Sequence, residues 1–136
     1  MPAIVTGGSS APAREAACAL AGRGDAVAVV YLHDQAGAEA MVADILAAGG
    51  TAIAVRADLR DVLDVERLFT ETTAMFGDVD LVVLTGVGDA SVLLEQASRR
   101  LRRGAAIVSV SEVEPSPALA ERLRERDIAL TRSGSR

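Results

Sequence analysis

Short apolar runs rich in valine and isoleucine recur along the chain, at residues 3–5 (AIV), 26–32 (AVAVVYL), 51–55 (TAIAV), 79–84 (VDLVVL), 105–110 (AAIVSV) and 127–130 (DIAL). They are continuous rather than alternating, as a strand buried on both faces of a parallel sheet should be. Between them lie PAREAACALAGRG, QAGAEAMVADILAAGG, DVLDVERLFTETTAMFG, DASVLLEQASRRLRRG and SPALAERLRER, which carry helical spacing; all but the last close on glycine, a common helix stop. The βαβαβαβαβαβ order with right-handed crossovers predicts a three-layer α/β/α, Rossmann-like, doubly wound parallel sheet of about six strands in the order 3-2-1-4-5-6. Ligands are then expected at the carboxyl ends of strands 1 and 4.

The length of 136 residues predicts one domain, 1–136. A net charge of -5 gives no general attraction to nucleic acid or to an anionic membrane, and neither is expected as a partner. The N-terminus lacks signal-peptide blocks and no apolar run approaches the roughly 20 residues of a membrane span, so a cytoplasmic location is expected. The lone Cys18 has no intrachain disulfide partner and reads as a small core residue, and no residue set is assigned to a metal. All 14 basic residues are arginine, lysine and asparagine are absent, and Tyr31 is the one tyrosine. Chemistry that needs a lysine ammonium, a Schiff base or a tyrosine-lysine proton relay is therefore excluded within this chain.

AIVTGGSS resembles the first strand and the start of the TGxxxGxG loop of the short-chain dehydrogenase/reductases. The stretch from AVAVVYLHDQ through AVRADLRD is similar to that family's second and third strands, including the pair Asp58-Leu59 that by resemblance binds adenine. FGDVDLVV resembles the approach to strand 4, GAAIVSVSE the strand that ends at the catalytic serine, and ALAERLRERDIALTRSG the last helix and sixth strand of the core. The resemblance implies NAD or NADP as cofactor, with Gly7, Ser9, Ser10, Asp58 and Leu59 as vestigial binding positions.

The departures from the pattern decide the expected function. In TGxxxGxG register Gly7 is kept, but the second glycine falls on Ala11 and the third on Ala13, with Pro12 between. A methyl at Ala11 intrudes where backbone should approach the pyrophosphate, Pro12 removes a first-turn N–H, and Ala13 is tolerable for helix packing. The ends of strand 2 are apolar at Val30 and Leu32, where the family places its ribose-selecting charges; His33 and Asp34 follow. The Asn-Asn-Ala-Gly segment is replaced by Leu84 to Val87, the serine position falls on Glu112 after Ser111, and no Tyr-x-x-x-Lys helix separates Glu112 from SPALAERL. A catalytic set is thus missing, together with the substrate loop.

The expected protein is a noncatalytic binding or accessory subunit with weakened dinucleotide binding. Alternatives are an oxidoreductase completed by another chain, a ligand-sensing regulator, and a carboxylate enzyme using Glu112, beside which Glu114 reads as a solvated loop acid. Asp58 has a second reading as a cap for the helix beginning near Asp61, and Asp89 or Ser91 are expected to cap the next helix. Arg99, Arg100, Arg102 and Arg103 are expected to cap the helix they end. Loss of cover over strands 4 to 6 predicts a homodimer, or docking onto a larger homologue, through ASVLLEQASRRL and PALAERLRER, with Leu93, Leu94 and Leu119 at the contact.

Overall fold

The computed structural model describes residues 2–8, 10–85, 90–109 and 117–132. Six strands, β1 (Pro2–Val5), β2 (Ala26–Tyr31), β3 (Thr51–Arg56), β4 (Leu81–Leu84), β5 (Ala106–Ser109) and β6 (Ala129–Arg132), form one sheet in the order β3-β2-β1-β4-β5-β6. Every pairing is parallel. The helices are α1 (Ala11–Gly22), α2 (Gln35–Ala47), α3 (Val62–Phe76), α4 (Ser91–Arg100) and α5 (Pro117–Glu125). Right-handed crossovers dictate the layers: the chain moves outward one way through β2 and β3, then returns to β4 and moves outward the other way. Accordingly Ala13, Ala17 and Leu20 of α1 and Ala38, Met41 and Ile45 of α2 pack with Ala3, Val5, Val27 and Val29. Leu68 and Phe69 of α3, Leu93 and Leu94 of α4 and Leu119 and Leu123 of α5 pack on the other face with Ile4, Val30, Val82, Leu84 and Ile107.

Helix starts follow side-chain chemistry. Ser10 Oγ accepts from Ala13 N at 3.3 Å, Asp34 Oδ1 from Gly37 N at 3.0 Å, and Asp61 Oδ1 from Leu63 N and Asp64 N at 2.9 and 3.3 Å. Asp61 therefore caps α3, correcting the reading of Asp58 as that cap. For α4 the capping position is Ala90, with no side-chain acceptor; Ser91 is already helical and Asp89 lies outside the described residues. The fifth helix, which the sequence leaves without a glycine stop, ends on Asp127 in the left-handed region at φ 57. Asp127 N donates to Arg124 O at 3.1 Å and Ile128 N to Leu123 O at 2.9 Å, a Schellman closure that delays β6 to Ala129 instead of residue 127.

Three further expectations are corrected by packing. Cys18 is exposed, because the buried stripe of α1 runs through Ala13, Ala17 and Leu20 and position 18 lies beside it. Arg99 pairs with Glu95 at 2.8 Å, Arg100 donates to Gln96 at 3.1 Å, and Arg102 and Arg103 pair with Asp80 and Asp127, each at 3.1 Å. The carbonyls at the end of α4 are instead met from α5's side: Arg126 donates to Ser98 O at 3.1 Å, to Arg99 O and to Leu101 O at 2.7 Å. Leu93, Leu94 and Leu119 are core residues at 0, 3 and 5 % exposure, so they are not available to a partner. The thin cover is on the other side of the sheet. Since Ile107 packs under α4 and α5, alternation turns Ala106 and Val108 to the α1/α2 face, where both are half-buried, and Ala129 and Thr131 of β6 are exposed.

Candidate functional site

The carboxyl ends of β1 and β4 meet at the point where the sheet reverses direction, and two threonines join them. Thr6 Oγ1 accepts from Thr85 N at 3.0 Å and donates toward Thr85 O at 3.1 Å, while Thr85 Oγ1 donates to Thr6 O at 2.7 Å. Both side chains are buried. The clamp makes glycine obligatory at position 7: its φ is +103, and a Cβ there would sit 2.0 Å from Thr85 Oγ1 and 2.8 Å from Thr85 O. Gly8, at φ +59, carries the loop over the end of β2, its N–H donating to Val30 O at 2.9 Å. Sequence inspection misses this clamp because its partners are 79 positions apart; the visible signal is only a threonine after each strand.

The loop keeps its shape but spends its donors on itself. Ser10 N donates to Gly7 O at 3.1 Å, Arg14 N to Ser10 O at 2.9 Å and Ala13 N to Ser10 Oγ, while Pro12 has no N–H. Of the described residues of 8–14 that carry an N–H, Ala11 is the one whose N–H has no partner among the described residues. A helix start grips phosphate with free N–H groups plus its dipole. Ala13 is fully buried against the sheet, consistent with its packing role, whereas Ala11 is exposed at the rim where an anion would approach. Ser9 lies outside the described residues.

The tips of β2 and β3 form the other side of the cradle. Val30 is buried and Leu32 half-buried, so neither offers a charge, His33 is exposed, and Asp34 is engaged as the α2 cap. Asp58 Oδ1 accepts from Arg60 N at 3.0 Å and lies 3.5 Å from Arg60 Nε, and Asp58 N donates to Asp64 at 2.9 Å. The Arg60 backbone N–H, helped by the Arg60 charge, holds the Asp58 carboxyl below the usual range and keeps it ionised. Its Oδ2 makes no hydrogen bond among the described residues, and the side chain is 34 % exposed. Leu59 packs half-buried against the α3-side core. Gly7, Ser10, Asp58 and Leu59 thus lie along one edge of the sheet, whereas Tyr31 is half-buried at the end of β2.

On the β4–β5 side, residues 86–89 and 110–116, including Ser111, Glu112 and Glu114, lie outside the described residues. Their sequence nevertheless limits their chemistry: residues 110–116 are all that connects β5 to α5, and neither segment holds a lysine, asparagine or tyrosine. Among the described residues, no group of three or more His, Cys, Asp or Glu side chains could hold a metal ion, and no helix is long and apolar enough to cross a membrane.

The family model described as short chain dehydrogenase matches residues 2–128. An oxidoreductase of Methylorubrum extorquens is 39% identical over 102 residues, covering 74% of this chain and 41% of that protein. A 3-oxoacyl-[acyl-carrier-protein] reductase of Synechocystis is 40% identical over 81 residues, 60% of this chain and 33% of that protein. The chain therefore spans less than half the length of these curated relatives. Among solved structures, a short chain dehydrogenase from Burkholderia cenocepacia in complex with NADP superposes with a TM-score of 0.79 at 27% identity, over 96% of this chain and 71% of that one. A dehydrogenase/reductase from Sinorhizobium meliloti gives 0.79 at 28% identity, over 96% and 69%. With the sheet order, the β1 loop and the family match in agreement, the chain belongs to the short-chain dehydrogenase family.

Proposed function

We propose that this chain is a noncatalytic member of its family, a binding or accessory subunit whose grip on NAD or NADP is weak. The observation that carries the reading is the direct passage from β5 to α5 through residues 110–116, which leaves no room for a tyrosine-lysine relay and contains neither residue. A bound nicotinamide dinucleotide would supply hydride. Reduction of a carbonyl also needs a proton delivered to the developing alkoxide, and a tyrosine whose pKa is lowered by lysine is the family's means of delivering it. Of this chain's own residues, Asp58 and Leu59 are proposed to meet adenine, and Gly7, Ser9 and Ser10, with Ala11 N, to line the phosphate passage. The NADP-bound relative supports a dinucleotide as the ligand class, and the engaged N–H groups of Gly8, Ser10, Ala13 and Arg14 support its weakness. The fit is one-sided: the β2–β3 tips suit the adenosine end, while the β4–β5 side has no asparagine, tyrosine or lysine for the nicotinamide end.

The test is a steady-state assay of purified protein with NADH and NADPH over a broad ketone panel. No cofactor oxidation above the enzyme-free blank is expected; heat-sensitive turnover would overturn the reading and favour an oxidoreductase. We also propose that the protein forms a homodimer, relocated from α4 and α5 to the thinly covered β5–β6 face, because parallel sheets are normally covered on both sides. Sedimentation equilibrium should show a dimer that Val108→Arg converts to monomer; a monomeric parent chain would refute it.

A further inference from the structure

The two ends of the sheet are secured differently. At one end β3 pairs with β2 along all 6 of its residues, and Ala38, Met41, Ile45, Ala52 and Val55 of α2 and β3 are buried. At the other end β6 pairs with β5 over 4 residues, α5 has 9, and residues 117–132 fully bury only Leu119, Leu123 and Ile128 among their described apolar side chains. A helix of that length is marginal in water on its own, and three buried side chains return little against the entropy of ordering the whole segment. Besides the β5–β6 ladder, what ties the segment down is arginine. Arg126 donates to Ser98 O at 3.1 Å, to Arg99 O and to Leu101 O at 2.7 Å, and Arg122 donates to Glu95 at 2.6 Å and to Ser98 Oγ at 3.3 Å. Arg103 reaches the other way, to Asp127 and to Glu125 O, each at 3.1 Å. Every one of these bonds is part-buried or exposed, so water can take its place once the segment lifts.

We propose that residues 117–132 are a strap over β5 that opens and closes as one unit while the rest of the sheet stays folded, the arginine clasp setting how often it opens. A segment with few buried apolar contacts and solvent-accessible polar ties belongs to the low-stability part of a fold. Opening bares the outer edge of β5 and uncovers Ile107, which is fully buried under α4 and α5 when the strap is closed. A bared strand edge beside an apolar side chain is a surface that another strand can join, so the clasp governs access to it. The inference stands independently of whether the chain is catalytic.

Native-state hydrogen exchange of the full chain, read residue by residue by NMR, tests this. The hydrogen-bonded amides of α5 and β6 should share one protection factor, about 100-fold or more below that of the amides in β1, β2 and β4. Arg126→Ala should raise the opening of residues 117–132 by about 30-fold, the loss of two part-buried bonds and a charge at a helix end. Gly24→Ala, in the turn between α1 and β2, acts on the rest of the sheet alone: it should lower protection in β1 and β2 by about fivefold and leave residues 117–132 unchanged. Should Arg126→Ala not fold, the parent chain and Gly24→Ala decide by themselves. Protection that falls off gradually toward Arg132, protection of the strap equal to that of β1, β2 and β4, a Gly24→Ala effect of the same size in both regions, or unchanged strap exchange in Arg126→Ala would overturn the proposal.

Discussion

Arg126 should be worth more to this fold than any of the four arginines at the end of α4. Replacing it by alanine removes three hydrogen bonds to Ser98 O, Arg99 O and Leu101 O from a helix whose last carbonyls have no other cap side chain described. The bond to Arg99 O is exposed, so water replaces it at little loss; the bonds to Ser98 and Leu101 are part-buried, each contributing about 1 kcal/mol net. Adding a few tenths for the cation near the helix C-terminus gives about 2 kcal/mol. With a urea m-value of about 2 kcal/mol/M, the midpoint should fall by about 1 M, and Tm by about 8 °C for a chain of this size. Arg126→Lys should recover about half, because an ammonium is a point donor where the guanidinium fork spans separate carbonyls. Arg99→Ala, which removes only an exposed pair with Glu95, should cost about 0.5 kcal/mol or less. Urea unfolding followed by circular dichroism decides it: Arg126→Ala within about 0.5 kcal/mol of the parent, or Arg99→Ala equal to it, would refute the reasoning.

Gly7→Ala should remove about 4 kcal/mol, combining left-handed backbone strain with overpacking on Thr85, whereas Gly24→Ala, with open space around its Cβ position, should lose only about 1 kcal/mol; denaturant midpoints of the two variants measure the difference. Glu95 is held below the ordinary glutamate range first by its hydrogen bond from Arg122, at 2.6 Å, and then by the charges of Arg122 and Arg99. A depressed folded pKa contributes stability that is present above the unfolded value and lost as pH falls through the folded one. Glu95→Gln should therefore be less stable than the parent at neutral pH, by about 0.5 kcal/mol after solvent screening, and the two urea midpoints should converge in acid below the ordinary glutamate pKa. A gap that stays constant into acid would contradict the assignment.

The sheet was legible because its strands are continuous β-branched runs, and handed crossovers then leave one order for six of them. The elements that differ are those settled by single positions or distant partners. Cys18 missed the buried stripe by one residue, and β6 started late because Asp127 takes a left-handed conformation for which glycine is the usual signal. Arg126 reaches α4 across 25 to 28 positions, a distance at which no local pattern operates. Cover was expected to be missing over strands 4 to 6 beside α4 and α5, yet those helices bury Val82, Leu84 and Ile107, and the exposed positions are Ala129 and Thr131 on the opposite face. At the site, the resemblance pointed to Asp58, which lies at the tip of β3, whereas the engaged donors around Ser10 follow from how the loop closes rather than from its residue types.

We propose, centrally, that the β1 loop keeps its fold with a weakened phosphate grip, in a chain that does not perform its family's reduction. The most direct measurement is the calorimetric affinity of the unmodified chain for NADPH beside that of Ala11→Gly/Pro12→Ile. Removing the methyl and restoring the missing N–H should tighten binding by about 1–3 kcal/mol, or roughly 5- to 150-fold, from a weak starting point near the millimolar range. Tight binding by the unmodified chain, with no gain in the double variant, would contradict the account.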